Sequence, residues 1–432
     1  MLGLDLTDKL VVAVGGGPVS TGRVGDLVAR GARVRVISPQ LSAGLHELVD
    51  AGRLDWVARP YAGPPDLLDA WLVHTATGDG AVDGAVAADA TTYRIWCINA
   101  SAADEGTART PARASVPTPD GPVEVAVTAS GDPRRAGAVR RQIEASLSRG
   151  DMDLRRRRAR PGTGWVALVG GGPGAEGLLT LRGRQLLACA DVVVVDRLAP
   201  RGVLAQLPED VRVVDVGKDV GFHAVPQERI NQILVDEALA GHGVVRLKGG
   251  DPYVLGRGGE ERLACEAAAV PVEVVAGVTS AISVPAAAGI PVTHRGLARS
   301  FTVVTGHDQV PSLPTGADHT LVVLMGVARL RDTVAAMIAA GRSADCPAAV
   351  VERGLLPGQR TTVAKLGELA DRAAEVGARS PAVVVIGSVV TMAPEWSRQA
   401  SSLSSTVSSP SPLSSNPGSA PPLSAPAPPE DR

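Results

Sequence analysis

Short runs of Val, Ile and Leu alternate along this chain with longer Ala-, Leu- and Arg-rich stretches whose apolar residues recur at helical spacing. That alternation predicts parallel sheets covered by helices, an α/β fold. In the N-terminal third, strands are expected at 11–14, 34–37, 71–75, 95–98 and 123–128, with a closing helix at 134–147. A second set of runs starts at Trp165 and continues to about Val390, and its strands after Phe301 form a second lobe. The segment PQERINQILVDEALAGHG illustrates the helices. Pro226 suits a first turn, Ile230, Ile233, Leu234 and Ala238 share a face, and Gly241 supplies the stop.

Between the two sets lies SRGDMDLRRRRARPGTG, where charge density rises and apolar periodicity vanishes. The expected organisation is therefore a domain at 1–150, a linker at 151–164, a domain at 165–396 and a tail at 397–432. The run Arg155 to Arg158 reads as a solvated connector rather than a phosphate-binding patch. The tail is almost wholly Ser, Pro, Ala and Leu, and such a segment cannot bury enough apolar surface to offset its ordering entropy, so disorder is expected there.

A chain of 432 residues, 45% of them hydrophobic, is long enough for two or three domains with sizeable cores. A net charge of −2 gives no reason to expect nucleic acid as a partner. Cys97, Cys189, Cys265 and Cys346 form no CxxC or Cys/His cluster, so neither a disulfide framework nor a metal site is indicated, and a reducing cytoplasm fits. No apolar run approaches the roughly 18 residues a membrane span needs, and the N-terminus has no export signal, so no membrane association is expected.

Two glycine-rich strand-to-helix turns carry the first chemistry: VVAVGGGPVSTGRV from Val11 and VALVGGGPGAEGLL from Val166. Glycine lets the backbone turn tightly and approach a ligand, and a following helix offers free N–H groups, so each turn alone reads as a nucleotide-type site. After the second turn the signals multiply. DVVVVDRL ends in Asp196, VGKDVGFH carries Lys218, VVRLKGGDPYVLGRGGEE carries Gly249, Gly250 and Asp251, and AGVTSAIS carries Thr279 and Ser280. Each follows a strand, which places all of them at one sheet edge as a composite pocket. Lysine use adds a clue, because only Lys9, Lys218, Lys248 and Lys365 stand among 43 basic residues. Two of those flank the pocket, where a lysine, unlike an arginine, can exchange a proton.

Taken in order, VALVGGGPGAEGLLTLRG, VVVVDRL, VGKDVGFHAVPQERIN, VVRLKGGDPYVLGRGGEE, AGVTSAISVPAAAGIPVTHRG and VVTGH closely resemble the uroporphyrinogen III C-methyltransferases of the tetrapyrrole methylase family. The resemblance implies a two-lobed α/β domain with S-adenosyl-L-methionine between the lobes, which replaces the dinucleotide reading of the second turn. It also implies double methylation of uroporphyrinogen III to precorrin-2, for siroheme or cobalamin synthesis. Matched position by position, Pro173, Gly249, Gly250, Asp251, Val254, Thr279 and Ser280 fall on the family's cofactor contacts, with Met325 and Gly354 from the second lobe. Val254 stands for an isoleucine common in relatives, one methylene smaller. Asp196 matches the proton acceptor and Lys218 the proton donor. The acceptor's eight carboxylates suggest Arg197, Arg257 and Arg295 as anchors. The family is commonly homodimeric.

The N-terminal third resembles the precorrin-2 dehydrogenase part of siroheme synthases, in the domain order of that fusion. This implies a Rossmann-like domain holding NAD through Pro18 and Val19 after the glycines and Pro39 and Gln40 after the second strand. Ser20 stands where a dinucleotide fingerprint has its third glycine, and no acidic residue ends the second strand. Relatives carry an aspartate in a CNVVD-like segment credited with oxidation and iron insertion. The matching stretch here is WCINASAADEG, with Ser101 in that place and Asp104 three residues on. A serine cannot replace a carboxylate as base or hard-metal ligand, which argues against iron insertion and leaves Asp104 as the substitute to test. The segment between Ser101 and Trp165 is also short for the helical dimerisation region of those enzymes. Two other readings stand beside this one: a non-catalytic N-terminal module that binds NAD or a tetrapyrrole, and methylation of a later corrin intermediate.

Overall fold

The computed structural model describes residues 3–217, 225–306, 313–316 and 318–398, so Lys218 lies outside the described residues. The chain divides into two compact units, Met1–Ser148 and Arg149–Arg432. The first contains β1 (Leu10–Val14), α1 (Pro18–Ala29), β2 (Arg33–Ile37), α2 (Ala43–Asp50), β3 (Asp55–Val57), β4 (Leu72–Thr75), α3 (Gly80–Thr92), β5 (Trp96–Asn99), β6 (Ala112–Val116), β7 (Val123–Val127) and most of α4 (Pro133–Arg149). β1 to β5 form a parallel sheet in the order β3-β2-β1-β4-β5. Both faces are covered. Val11, Ala13, Val34 and Val36 pack with Val24 and Leu45 of α1 and α2, while Val12, Val14 and Val73 pack with Val86 and Ala90 of α3. The strand order reverses between β1 and β4, so the loops after those strands border the crevice where such sheets take ligands.

Two strands of this unit are not legible beforehand. β3 is only three residues long, and β6 pairs antiparallel with β7 in a separate ribbon, so the strand expected at 123–128 does not join the main sheet.

The second unit runs through β8 (Trp165–Gly170), α5 (Leu181–Ala188), β9 (Val192–Val195), β10 (Arg212–Asp215), α6 (Gln227–Leu239), β11 (Gly243–Lys248), α7 (Gly258–Ala267), β12 (Val272–Val275) and α8 (Ser280–Ala287). Its second lobe adds β13 (Ser300–Thr305), β14 (His319–Leu324), α9 (Leu330–Ala339), β15 (Pro347–Glu352), β16 (Arg360–Lys365), α10 (Leu366–Glu375) and β17 (Ala382–Ile386). The first lobe is all parallel, ordered β10-β9-β11-β8-β12. The second is mixed, ordered β13-β14-β17-β15-β16, with only β13 and β14 parallel. α8 joins them: Ala281, Val284 and Ala288 share one core with Val322, Val351 and Val385 of the second lobe. The start of α8 is thereby held between the lobes.

The stretch expected to be a solvated connector is instead stitched to this unit. Leu154 is buried and its N–H donates to Ala188 O at 2.8 Å. Arg155 and Arg157 both bridge Asp153 and Asp210, and Arg160 reaches Asp191. The carboxylates that receive these arginines are scattered in sequence, which is why the run reads as free charge. Among the described residues no helix is long and apolar enough to cross a membrane.

Candidate active sites

In the second unit, the turns after β8, β9, β11 and β12 meet at one sheet edge, and close backbone contact holds them together. Gly172 and Gly250 exchange two hydrogen bonds, of 3.1 and 2.6 Å, and Gly171 donates to Lys248 O at 2.7 Å. A Cβ on Gly170 would lie 2.5 Å from Gly277 Cα, and one on Gly277 would lie 2.2 Å from Gly250 O. Any side chain there would push the turns apart. Gly172, Gly174 and Gly250 also have positive φ, the left-handed region that favours glycine.

Two carboxylates point into this assembly. Asp196 Oδ1 accepts from the N–H groups of Leu198 at 3.0 Å and Ala199 at 2.9 Å, and Gly249 N–H lies 3.3 Å from both of its oxygens. Asp251 accepts from Tyr253 N–H at 2.8 Å and Gly277 N–H at 2.9 Å. Thr279 caps α8, its hydroxyl taking the Ala281 N–H, and Ser280 N sits 3.7 Å from where a Gly250 Cβ would be. Pro173 and Val254 are half-buried in the same loops.

From the other lobe, Met325 follows β14 with φ 55° and is 54% exposed. Gly354 follows β15, where a Cβ would meet Val284 Cγ1 of α8 at 2.5 Å. The structure thus brings the expected residues Pro173, Asp196, Gly249, Gly250, Asp251, Val254, Thr279 and Ser280 to one edge, with Gly354 packed on α8. Sequence reading missed the exposed apolar residues of these loops. Leu198, Tyr253, Leu255, Val278 and Ile282 are all at least 36% exposed and follow β9, β11 or β12. Apolar side chains left in water beside convergent polar groups mark a ligand surface.

Behind the edge lies a buried ion network that sequence reading also missed. Glu261, at 0% exposure, receives Arg246 Nε at 3.0 Å and Lys248 Nζ at 2.9 Å on each oxygen, and Arg246 Nη2 lies 3.8 Å from Asp196 Oδ2. Burial, with Arg246 adding to it, pulls the Lys248 pKa down. Lys248 flanks the pocket as expected, but its ammonium is committed to Glu261 and faces inward. Of the suggested anchors, Arg197 and Arg295 are exposed without an ion pair among the described residues, whereas Arg257 is engaged by Glu260 at 2.6 and 2.8 Å.

The first unit has its own candidate site. Gly15 has φ 110°, and a Cβ there would lie 2.4 Å from Ala76 O; one on Gly16 would lie 2.0 Å from Gln40 O, whereas Gly17 faces open space. Pro18 opens α1, Val19 is 59% exposed, and Pro39 and Gln40 are both exposed. An uncluttered glycine backbone beside a helix start suits a dinucleotide pyrophosphate. Ser20 is fully buried, so it packs the helix and does not face this opening. Asp104 does not take the place left by Ser101: it is exposed and paired with Arg109. The Ser101 hydroxyl donates instead to Asp83, a buried carboxylate on α3.

The family of tetrapyrrole (corrin/porphyrin) methylases matches residues 166–370, and an NAD(P)-binding family matches residues 2–112. Siroheme synthase 3 of Aeromonas hydrophila is 36% identical over 454 aligned positions, covering 90% of this chain and 94% of that protein. Siroheme synthase of Chromobacterium violaceum is 35% identical, covering 94% of this chain and 98% of that one. Among solved structures, uroporphyrin-III C-methyl transferase from Thermus thermophilus complexed with S-adenosylhomocysteine is 44% identical, covering 52% of this chain and 99% of that chain, with a TM-score of 0.45.

Proposed function

The chain belongs to the siroheme synthase family, and from that we propose a two-step enzyme. Its second unit transfers methyl groups from S-adenosyl-L-methionine to two carbons of uroporphyrinogen III, giving precorrin-2. Its first unit oxidises precorrin-2 to sirohydrochlorin with NAD. The single observation that carries the methylation is the sheet edge where Asp196 is pinned by three backbone N–H groups beside Gly249, Gly250 and Asp251.

The residues present fit the methyl donor. Glycine backbone at Gly172, Gly174 and Gly250, the capped start of α8 and exposed Met325 supply the polar and apolar surface that such a donor needs. Bound there, S-adenosyl-L-methionine supplies an electrophilic methyl group. Asp251 fixes the β11 and β12 turns against each other, so Pro173, Gly249, Gly250, Val254, Thr279, Ser280, Met325 and Gly354 form the holding surface. Asp196 accepts the proton that the macrocycle loses once a pyrrole carbon has gained its methyl group. Lys218 is the proton donor that the family pattern assigns. Arg197 and Arg295, which have no ion pair among the described residues, anchor substrate carboxylates, and Arg257 does so only by giving up Glu260. Much of the acceleration comes from holding pyrrole carbon and methyl in line.

In the first unit, Gly15 to Gly17, Pro18, Val19, Pro39 and Gln40 hold NAD. Cysteines that are all buried and in no disulfide suit a reducing cytoplasm. The test is anaerobic incubation with uroporphyrinogen III, S-adenosyl-L-methionine and NAD, following product mass and NADH absorbance. A dimethylated product oxidised in step with NADH formation is expected. Methylation without NADH would make the first unit a binding module, and no methylation would refute the main reading.

A further inference from the structure

Asp83 is a carboxylate of the first unit that accepts four hydrogen bonds. It sits near the start of α3 at 0% exposure. Its Oδ1 accepts from the Thr75 hydroxyl at the end of β4, from the Thr77 N–H at 3.0 Å and from the Thr77 hydroxyl at 2.8 Å. Its Oδ2 accepts from the hydroxyl of Ser101. Ser101 itself is exposed, and Asn99 Oδ1 holds the loop by taking the N–H groups of Ser101 and Ala102, each at 2.9 Å. One oxygen of Asp83 is thus filled by loop donors, while the other leads through a single hydroxyl to the surface.

A serine hydroxyl carries one proton. With that proton given to Asp83, Ser101 Oγ turns only lone pairs outward and can accept from a ligand but not donate to it. The pair lies on the same sheet edge as the glycine turn, since the loop after β4 runs against Gly15 at Ala76. It stands after β4 and β5, on the far side of the strand-order reversal from β2. Asp104, the nearer carboxylate in sequence, points into solvent toward Arg109.

We propose that Ser101 and Asp83 together are the proton acceptor for the first unit's dehydrogenation, Ser101 touching the substrate and Asp83 acting through it. This rests on the reading that the unit oxidises a reduced tetrapyrrole with NAD. A ring C–H bond breaks and its electron pair leaves as hydride to the nicotinamide. A ring N–H bond breaks and its electrons form the new C=N bond. That proton passes to Ser101 Oγ as the Ser101 proton passes to Asp83 Oδ2, and solvent later receives it. Burial pushes Asp83 up, but the bonds from Ser101, Thr75 and Thr77 outweigh it and hold the group below the usual carboxylate value, so the acceptor is ionised at neutral pH. The other titratable groups around it are His74 on β4 and Cys97 on β5, both of which feel its charge, and Glu105, which accepts from Asn99 at 3.3 Å.

The experiment uses the full chain, with precorrin-2 made in place by its own second unit. Ser101→Ala is expected to slow NADH formation by about 10²-fold or more while leaving NAD affinity, measured by fluorescence titration, unchanged. Ser101→Thr keeps the hydroxyl and should keep most of the rate, and Asp83→Asn should lose it as Ser101→Ala does. Without NAD, a carboxyl 13C titration of Asp83 should move upward in Ser101→Ala, because one bond to the anion is gone. Exposed Ser101 is not needed for folding, so Ser101→Ala turning over at the unmodified rate, or an unmoved Asp83 titration, overturns the pair. If the unmodified chain binds NAD but forms no NADH, the oxidation reading fails and the pair falls with it.

Discussion

Lys248 Nζ lies 2.9 Å from each carboxylate oxygen of Glu261, and neither residue reaches solvent. The pair spans the end of β11 and the first turn of α7, directly behind the turn that carries Gly249 and Gly250. Glu261 also balances Arg246, so Glu261→Gln leaves two buried cations with one distant carboxylate, Asp196. Breaking such a network from one side costs about 3–5 kcal/mol, and urea unfolding of the second unit should show it. Lys248→Met, which leaves Glu261 paired with Arg246, should reduce methylation far less than a change at Asp196. Equal losses would return Lys248 to the proton chemistry.

Asp196→Asn keeps a group that accepts from Leu198 and Ala199 but removes the base. Methyl transfer should fall about 10²- to 10⁴-fold, with S-adenosyl-L-methionine affinity retained in equilibrium dialysis. Loss of affinity without loss of maximal rate would make Asp196 a binding group only.

The methylase lobes were legible because their turns carry dense local signals: an apolar strand, then Gly, Asp or Thr within a few residues, repeated at Asp196, Gly249 and Thr279. Parallel strands such as β8 and β9, buried on both faces, announce themselves as unbroken apolar runs. What could not be read were pairings across long sequence separations. Glu261 meets Lys248 from the next helix, Asp210 receives Arg155 and Arg157, and Asp83 reaches Ser101 across 18 positions. None has a local periodicity. The likeness of WCINASAADEG to relatives put Ser101 in the aspartate's place and left Asp104, the nearest carboxylate in sequence, as the substitute to test, whereas packing of α3 on β4 and β5 supplies Asp83.

The glycines of the methylase edge make separable predictions. A methyl group on Gly277 would lie 2.2 Å from Gly250 O and 2.6 Å from Gly170 Cα, all backbone that cannot swing aside. Gly277→Ala should therefore spread the turns and abolish methyl-donor binding. Gly259 in α7 has no atom within 4 Å of such a methyl, so Gly259→Ala should bind normally and gain up to about 1 kcal/mol from helix propensity. Calorimetric titration of both variants decides the matter. Retained binding in Gly277→Ala would show that close approach of these turns is not what forms the cleft.

His74 sets the pH response of the first unit. It is 2% exposed on β4, its Nδ1 is buried without a hydrogen-bond partner among the described residues, and it borders a cavity of about 680 Å³ shared with Arg23, Trp96 and Arg113. Burial, reinforced by the charge of Arg23, pulls its pKa from 6.5 down to about 4, against a smaller opposing pull from Asp83. Between those values the unfolded chain binds a proton that the folded unit refuses, so stability rises with pH across that window. The contribution is complete above the unfolded value and drains away as the solution is acidified toward about 4, a loss on the order of 3 kcal/mol. Amide exchange of β1 and β4 at pH 7 and pH 4.5 reads this unit separately from the other. Once each rate is divided by the intrinsic rate at that pH, which itself falls on acidification, core protection should be lower at pH 4.5 than at pH 7 in the unmodified chain. His74→Leu, which cannot take up a proton in either state, should flatten that dependence while leaving the acid loss of Asp83 bonding at still lower pH. An unchanged slope in His74→Leu would move the acid sensitivity of this unit away from β4.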